Sequence, residues 1–591
     1  MRKSNLLVLP LLTLVLAMSN STCKKPAPNA GATEAERAAA AAFSKWVDTY
    51  LEDYYRRHPT AASYDGIHTF DTRLDSFSRD SIQAELAALA AFEKELAGID
   101  SARLPLSARL DWQLAGNNIR FRRLELERIR MWQKQPDVYC SVIGGGLMLM
   151  AMQRFAPPET RLRSVIAREC EIPRLLDEAR ANVANPPAVY VKVALEDFEG
   201  VLDFVQNDIP KAFPEEKDAA LLGEFHASTA AAAEALRKYI AYLKNDLRPK
   251  AKGEFAIGAE NYADLLKFQE GVNLPLDELL GIAQREIGRE QERFRTTAAE
   301  IDPAAEPQRV WERLKREHPP AGHVVAEAQK QLATIIQFIE EKHLVTLPQA
   351  APAVAMPTPP FYRQSFASMW NPGPFETADL PSPYFVTEVD PAWPRKKQEE
   401  YLTAFNYSEL WSTSIHEAYP GHYVQGMIVR QAPSKVRKAA LFAPDTYVEG
   451  WAHYTEQMMI AEEGFGGRDP KIRLGQIVES LLRLCRFYAG ISLHTRGMSV
   501  DEATRFFMKN AFWDETPARA EAERGTYDPT YLVYSVGKLE ILKLREDYRA
   551  LQGDKFSLME FHDRLLRGGQ APIWVYRRLL LGDRDDGKIL N

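Results

Sequence analysis

The sequence predicts a mainly α-helical fold, with a large helical body arranged as two lobes around a deep cleft. Amphipathic periods at helical spacing recur along most of the 591 residues. Short turns that contain proline or glycine separate these periods. One segment, residues 348–394, departs from this pattern because it is rich in proline and aromatic residues. It predicts a small β-sheet next to the helix that carries a candidate metal site.

The N-terminus has the features of an export signal. Arg2 and Lys3 precede an apolar run at residues 6–18. This run is too short to cross a bilayer comfortably, and its position is typical of a secretory signal. We therefore assign residues 1–22 to a signal peptide.

A cysteine follows this signal. Cys23 is expected to carry a lipid anchor, which would make the protein a periplasmic or outer-membrane-anchored lipoprotein that touches the membrane only through its lipid. Ordinary secretion is the alternative, because Asn20-Ser21-Thr22 fits a lipoprotein signal poorly. Residues 23–34, which are rich in proline, alanine and asparagine, predict a flexible tether.

Residues 35–591 are expected to form one mainly helical domain. The clearest helix lies at 161–183, where apolar side chains recur at helical spacing. Residues 59–77 are polar and are predicted to be irregular. The other helices predicted before the sheet lie at 35–57, from 81 onward, and at 106–133, 187–208, 215–245, 275–299, 306–317 and 322–343.

The sheet is predicted from two short extended runs at 363–370 and 384–389. A sheet edge beside a metal-binding helix can pair with the extended backbone of a peptide, which would suit a peptidase. Helices are then predicted from 395 through the metal motif and at 446–463, 471–495, 500–511, 517–524 and 530–550.

Charge and cysteine content narrow the function classes. The formal net charge is −7, and removal of a signal peptide that carries two basic and no acidic residues makes it −9. A mildly acidic chain without a basic tract is not expected to bind nucleic acid. The cysteines beyond Cys23 are expected to be small buried apolar residues rather than a disulfide framework, and they are Cys140, Cys170 and Cys485.

The signatures of several other chemistries are absent from the sequence. It contains no G-x-S-x-G nucleophile elbow and neither of the usual glycine-rich nucleotide-binding patterns. No paired-cysteine motif of the zinc-finger type occurs. The three glycines at 144–146 are predicted to form a flexible turn, because nothing around them indicates phosphate binding.

The functional prediction depends on the segment HEAYPGH, residues 416–422. Two neutral imidazoles bind zinc, and the carboxylate beside the first one takes a proton from the attacking water. In the usual H-E-x-x-H motif the histidines lie one turn apart on one helical face. Here they are six residues apart, about 600° of rotation, which would point the rings apart on an ideal helix. Pro420 and Gly421 are expected to end or bulge the helix and return His422 to His416, because proline lacks the amide hydrogen and glycine tolerates unusual backbone angles.

Glu449 is predicted to be the third ligand. It begins the segment EGWAHYTE, 27 residues after His422, and a glutamate on the next helix completes a two-His, one-Glu zinc site with a position open for water. A helix N-terminal carboxylate is the alternative for Glu449, and a solvated helix carboxylate is the alternative for the base Glu417. Glu456 lies two turns further along the same face and is expected to hold the ring of a ligand histidine.

A peptidase also needs a donor to the oxyanion that develops on the scissile carbonyl. The candidates are His453, His494, Tyr531, Tyr534 and Lys538. We select Tyr534 and His494, with a core tyrosine hydrogen-bonded to its surroundings as the alternative. Arg486 and Arg545 are candidates for binding a substrate carboxylate through paired hydrogen bonds, with ordinary ion pairing as the alternative.

These motifs resemble the domain-of-unknown-function family 885 of bacterial proteins, and the likeness covers most of the chain. That family is regarded as similar to zinc metallopeptidases of the thermolysin-like (gluzincin) clan, with the thimet oligopeptidases and angiotensin-converting enzyme as distant relatives. The resemblance implies zinc ligands at His416, His422 and Glu449 and a general base at Glu417. It is carried by HEAYPGH, EGWAHYTE, YSVGKLEILKLRE and HPTAASYDGIHTFDTRL.

The chain departs from the family pattern at two positions. Family members commonly have a second histidine directly after PGH, where this chain has Tyr423. They often have an aspartate four residues before the histidine that matches His494, where this chain has Gly490. Roles for that histidine and that aspartate therefore do not carry over.

Three functions are compatible with the sequence. The first is an exported zinc metallopeptidase that hydrolyses peptide bonds of oligopeptides. The second is a catalytically silent envelope lipoprotein that binds a peptide or a partner through a degenerate site. The third is a zinc amidohydrolase that acts on non-peptide amides.

Overall fold

The computed structural model describes residues 32–359 and 366–590. Within these ranges the chain is mainly helical and contains a small three-stranded sheet, as predicted. The predicted signal peptide, Cys23 and most of the predicted tether lie outside the described residues. No helix in the described ranges combines the length and the apolar content that are needed to cross a bilayer.

The helices before the sheet follow the predicted amphipathic periods closely. The first of them begins with a reciprocal capping box, in which Thr33 and Glu36 satisfy each other's backbone amides. The helices are α1 (Glu34–Arg57), α2 (Pro59–Tyr64), α3 (Arg79–Ala97), α4 (Leu106–Arg123), α5 (Met131–Lys134), α6 (Asp137–Met152), α7 (Pro158–Asn182), α8 (Ala188–Asp203), α9 (Ala219–Tyr242), α10 (Ala259–Leu265), α11 (Leu276–Ile301), α12 (Pro307–Leu314) and α13 (Val324–Lys342).

The helices after the sheet include those that carry the candidate site. Asn406 caps the N-terminus of the helix that carries His416. Its side chain accepts a hydrogen bond from the amide of Glu409 at 3.0 Å. The helices are α14 (Arg395–Leu402), α15 (Tyr407–Glu417), α16 (His422–Val429), α17 (Lys435–Lys438), α18 (Asp445–Gln457), α19 (Pro470–Thr495), α20 (Val500–Asn510), α21 (Glu515–Tyr527), α22 (Val533–Gln552), α23 (Leu558–Arg567) and α24 (Ile573–Leu581).

Three local predictions are wrong, and the first concerns residues 59–64, which form α2 rather than irregular chain. The glycines at 144–146 lie inside α6 rather than in a turn. Neighbouring α6 residues such as Ile143 and Leu147 are fully buried, and this burial outweighs the poor helix propensity of glycine. Cys170 is exposed on α7, whereas Cys140 and Cys485 are buried as predicted.

The small sheet lies between α13 and α14. Its strands are β1 (Val354–Pro357), β2 (Ala367–Met369) and β3 (Pro383–Val386), in the spatial order β1-β3-β2. β1 runs parallel to β3, and β2 runs antiparallel to it. β2 and β3 correspond to the predicted strands, although residues 363–365 lie outside the described ranges. On β1, the amide of Ala355 donates to the side chain of Gln329 from α13 at 2.8 Å, which ties the sheet to that helix.

The hydrophobic core consists of four clusters of buried side chains. The largest joins α1, α3 and α13 to the sheet and the helices of the metal motif. A second cluster lies among α6–α9. The other two share α19, which contributes Leu474 to one and Phe487 to the other. The clusters do not sort into two separate lobes, so the two-lobed arrangement around a cleft stays a prediction.

A glycine–glycine contact fixes the crossing of α18 and α22. A Cβ atom at Gly450 would lie 2.5 Å from the Cα atom of Gly537, and one at Gly537 would lie 1.8 Å from the carbonyl oxygen of Thr446. The two backbones therefore approach more closely than any other residue pair would allow. α18 carries Glu449 and α22 carries Tyr534, so the contact sets the relative position of these two predicted site residues.

Gly537→Ala is expected to lower the free energy of unfolding by about 1–3 kcal/mol, because the new methyl group forces the two helices apart. Thermal and urea unfolding of the variant would measure the loss. Gly223→Ala on α9 is the comparison, since a Cβ atom there meets nothing within 4 Å. That variant is expected to be neutral or slightly stabilised, and equal stability of the two variants would contradict the close contact.

Candidate metal centre

The two predicted ligand histidines lie on either side of a break between α15 and α16. α15 ends at Glu417, and α16 begins at His422. The break contains Pro420, as predicted, and the peptide bond between Tyr419 and Pro420 is cis. The rings of His416 and His422 come to 4.8 Å between centroids and stand nearly perpendicular. The break therefore offsets the six-residue spacing that would have separated the rings on a continuous helix.

Gly421 allows the break because it has no side chain. Its amide donates to the carbonyl oxygen of Ile415 at 3.1 Å, which folds the chain back onto the end of α15. A Cβ atom at this position would lie 1.8 Å from the carbonyl oxygen of His416. The φ angle of Gly421 is −69°, so glycine is required here for its small size rather than for the left-handed backbone region.

Glu449 lies on α18, which packs against the break. The indole of Trp451 donates to the carbonyl oxygen of Pro420 at 2.9 Å. At the start of α18, the buried Glu270 accepts from the amide of Thr446 at 2.8 Å. Both bonds fix α18 relative to its surroundings, and they hold Glu449 against the two histidines.

The three predicted ligands converge. Glu449 Oε2 lies 3.3 Å from His416 Nε2 and 3.4 Å from His422 Nε2. One ligand atom from each of the three residues lies within 4.8 Å of the others. Ligand atoms that bind zinc tetrahedrally at about 2.0–2.2 Å lie roughly 3.3–3.6 Å apart. Glu449 Oε2 is also buried without a hydrogen-bond partner among the described residues, so this donor set fits a small cation at its centre.

Glu456 orients the first histidine. Its Oε1 atom lies 2.7 Å from Nδ1 of His416, and its Oε2 atom accepts from the hydroxyl of Ser412 at 3.1 Å. The guanidinium of Arg483 lies 3.5 Å from the same carboxylate. This contact fixes the ring so that Nε2 is directed at Glu449 and His422. The predicted contact between Glu456 and the ring of His416 is present, and the role of His416 as a metal ligand stays a prediction.

The charges at the site favour a bound cation. Burial raises the pKa of Glu449, but the imidazoles of His422 and His416 outweigh this effect, and the pKa lies well below its ordinary value. In His416 burial lowers the pKa, while the contacts with Glu449 and Glu456 raise it to about 10. The two carboxylates thus place a strong negative potential at the point where the ligand atoms meet.

Tyr534 lies beside the three ligands. Its ring is 6.3 Å from the ring of His416, and it is half-buried. The guanidinium groups of Arg483 and Arg486 lie 5.5 and 5.3 Å from the centre of the tyrosine ring, and Arg524 donates to its hydroxyl at 3.5 Å. Burial and the charge of Glu449 raise the pKa of Tyr534, so its hydroxyl is protonated at neutral pH and can donate a hydrogen bond.

His494, the other predicted donor, makes its contacts elsewhere. Its Nε2 atom lies 2.8 Å from the carbonyl oxygen of Gly525, and its ring stacks on Tyr262. Burial lowers the pKa of His494 to about 4. At Gly490, four residues earlier, a Cβ atom would lie 2.8 Å from the ring of Tyr531. These are the contacts of a core histidine, and we do not retain His494 as a donor.

The two arginines predicted to bind a substrate carboxylate have structural partners. Arg486 makes two hydrogen bonds to Glu521, and Arg545 pairs with Glu462. The ion-pairing alternative therefore accounts for both arginines. Tyr423, the residue directly after His422, is buried and donates to the carbonyl oxygen of Ala351 at 2.7 Å.

Sequence reasoning missed the roles of Arg483 and Arg524. They flank Tyr534, but they lie on α19 and α21, and their proximity depends on how these helices pack. One signal was available for the first of them. Arg483 and Arg486 lie three residues apart on a predicted helix, which places them on one face.

Comparison with known proteins gives the family. The family described as bacterial proteins of unknown function, DUF885, matches residues 59–580. This chain belongs to DUF885. The matched range contains the three converging ligands, Glu417 and Tyr534.

The chain is also similar to two solved structures. A protein from Shewanella oneidensis, described as a candidate lipoprotein of unknown function, is 28% identical with a TM-score of 0.75 and covers 91% of this chain and 99% of its own. A candidate lipoprotein from Colwellia psychrerythraea is 18% identical with a TM-score of 0.77 and covers 94% of this chain and 100% of its own. The second likeness concerns the fold alone. A comparison of this DUF885 chain with curated proteins found no match.

Glu456→Gln is expected to weaken zinc binding by this DUF885 protein by about 10- to 100-fold. The amide keeps the size of the side chain, but it removes the negative charge that faces His416 Nδ1. Competition with a chromophoric chelator would measure the affinity, and circular dichroism would confirm that the variant folds. A folded variant with wild-type zinc affinity would contradict the orienting role of Glu456.

Proposed function

We propose that this DUF885 protein is an exported zinc-dependent peptidase that hydrolyses peptide bonds of oligopeptides. The convergence of His416, His422 and Glu449 at separations expected for zinc ligands supports this function best. The position of Glu417, directly next to a ligand and at the end of the same helix, adds the group that amide hydrolysis needs.

His416, His422 and Glu449 would hold the zinc ion. Nitrogen and carboxylate donors together suit zinc better than magnesium or calcium, which prefer oxygen ligands. Bound zinc would supply a Lewis acid that polarises the scissile carbonyl and makes water more acidic. Glu456 would keep the His416 ring in the tautomer that presents Nε2 to the ion.

Glu417 and Tyr534 would carry the proton transfer and the charge stabilisation. The carboxylate of Glu417 is half-buried and has no hydrogen-bond partner among the described residues, so it is available as a base. It would take a proton from the attacking water and pass it to the nitrogen of the leaving amine. The protonated hydroxyl of Tyr534 would donate to the oxygen that becomes negative on the scissile carbonyl.

We also infer that the protein is exported from the cytoplasm. Residues 1–22 have the pattern of a signal peptide, and the Shewanella relative is described as a candidate lipoprotein. We infer a lipid anchor at Cys23, which would place the catalytic domain in the envelope. Cys23→Ser is expected to move the protein from the membrane fraction of cells to the soluble fraction. Recovery of the unaltered protein in the soluble fraction would contradict the anchor.

Metal content and substrate screening together test the proposed function. Protein purified without added metal is expected to contain about one zinc ion per chain, and it is expected to cleave members of a peptide library. Absence of stoichiometric zinc and of cleavage would favour a catalytically silent binding protein. Cleavage of N-acyl amides without cleavage of peptides would favour an amidohydrolase on non-peptide substrates.

A further inference from the structure

A cavity of about 390 Å³ opens beside the first turn of α18. Its lining includes one carboxylate from that turn, Asp445, which lies four residues and therefore one helical turn before Glu449. The volume lies at the small end of ligand pockets, which span about 300–1,000 Å³. It would accommodate a single residue or the end of a peptide rather than a folded partner.

The Asp445 carboxylate is accessible and has no partner. The residue is exposed, and its side chain makes no hydrogen bond or ion pair with any described residue. Its charged neighbours, Glu449 and Asp528, are both acidic. Desolvation, followed by the charges of these two acids, raises the pKa of Asp445 to about 7, and a cation bound in the cavity would lower it.

The other two charged groups in the cavity wall have partners, although Nε of Arg122 makes no hydrogen bond to the described residues. Arg122 lies 2.7 Å from Glu85 and 3.0 Å from Glu125, so two carboxylates offset its positive charge. Asp65 accepts hydrogen bonds from the hydroxyl of Tyr55 and from a backbone amide. The unmatched charge in the cavity is therefore negative.

Aromatic side chains form much of the remaining wall. They are Tyr54, Tyr64, Phe121, Phe268 and Phe442. Aromatic faces attract organic cations and pack against their aliphatic parts, whereas hard metal ions prefer cages of oxygen atoms. A lone carboxylate with aromatic walls is thus suited to an ammonium or guanidinium group.

We propose that this cavity is a substrate subsite in which Asp445 binds a cationic group of the peptide, either its α-ammonium group or a lysine or arginine side chain. This assignment rests on the proposed peptidase function in that the cation belongs to a peptide substrate. Asp445 lies one helical turn before Glu449 on the same face of α18, so the bound cation would lie on the side of that helix that carries the proposed ligand. The subsite would favour peptides that carry a positive charge near the scissile bond.

Four small probes test the subsite and identify the source of the cation. Lysine amide carries both cations, N-acetyllysine amide carries only the side-chain cation, norleucine amide carries only the α-ammonium group, and N-acetylnorleucine amide carries neither. Their affinities would be measured by calorimetry or NMR on zinc-loaded Glu417→Gln protein, which prevents turnover. At least one single-cation probe is expected to bind about 10-fold or more tightly than the neutral probe. The preferred single-cation probe identifies the source.

Asp445→Asn in the same background is expected to remove this preference, because the amide keeps the shape of the side chain and loses the charge. Asp80→Asn is the matched control, since Asp80 is likewise an exposed aspartate in the first turn of a helix and does not line the cavity. It is expected to leave all four affinities unchanged. Wild-type thermal stability and zinc content of Asp445→Asn would exclude misfolding as the cause.

Equal binding of all four probes would overturn the subsite, and so would a cation preference that survives Asp445→Asn. These affinity measurements do not require hydrolysis of the probes. A protein that lacks zinc or peptide cleavage would contradict the proposed function, whereas equal probe binding by an active zinc peptidase would contradict the subsite alone.

Discussion

Glu417→Gln is expected to slow peptide hydrolysis by about 10²- to 10⁴-fold while the zinc content stays at the wild-type level. The side chain is not one of the three converging ligands, and its carboxylate has no partner among the described residues, so its loss should not disturb the metal centre. Glutamine has the same shape but cannot accept the proton from water. The predicted effect is therefore on kcat rather than on metal binding or folding. Steady-state kinetics with a cleaved library peptide, together with elemental analysis, would measure both quantities.

The control for this variant is Glu340→Gln. Glu340 is an exposed glutamate in the last turn of α13, so the substitution makes the same chemical change at a comparable place in a helix. Its kinetic parameters are expected to match those of the wild type. A Glu417→Gln protein that retains wild-type kcat would remove Glu417 from the mechanism, and loss of zinc from that variant would assign the residue to the metal centre instead.

Gly421→Ala is expected to weaken zinc binding by about 100-fold or more. This loss of affinity is larger than the loss expected when Glu456, which hydrogen-bonds to His416, is replaced. The added methyl group would lie 1.8 Å from the carbonyl oxygen of His416, and the backbone between α15 and α16 must move to relieve this contact. The movement displaces His422 from His416 and Glu449, because His422 is the next residue. Competitive chelation would measure the affinity, and hydrolysis is expected to fall in parallel at limiting zinc.

Gly288→Ala provides the comparison for a glycine with free space around it. Gly288 is an exposed residue within α11, and a Cβ atom there meets nothing within 4 Å. Zinc affinity is expected to be unchanged in this variant, and stability to rise slightly. If Gly421→Ala bound zinc as tightly as Gly288→Ala, the break would not depend on the absence of a side chain at position 421.

The sequence was most informative where chemistry and local backbone preference coincide. HEAYPGH contains both the candidate ligands and the residues that interrupt the helix, so the return of His422 to His416 followed from local reasoning. The physical reason for Gly421 was only partly anticipated, because close approach to a carbonyl oxygen depends on the folded path of the chain. Glu449 was identified by its spacing and by resemblance, and its distances to the histidines agree with the prediction.

Features that depend on long-range packing were not predictable in the same way. The periodic pattern around His494 does not reveal that its ring stacks on Tyr262, which comes from α10. The arginines around Tyr534 come from two other helices, and the cavity beside Asp445 joins segments that are hundreds of residues apart. Glycine propensity at 144–146 pointed to a turn, but burial of the surrounding helix decided the outcome.

The backbone contact between Gly450 and Gly537 has a consequence for altering the selectivity of this protein. The proposed metal ligand Glu449 is adjacent to one of these glycines, and Tyr534 lies one helical turn from the other. The alignment of the two helices is thus independent of the side chains that line the cavity. A combinatorial library can therefore vary Tyr54, Phe121 and Phe268 while both glycines are kept. We expect its members to differ in the peptides that they accept and to keep the relative positions of Glu449 and Tyr534.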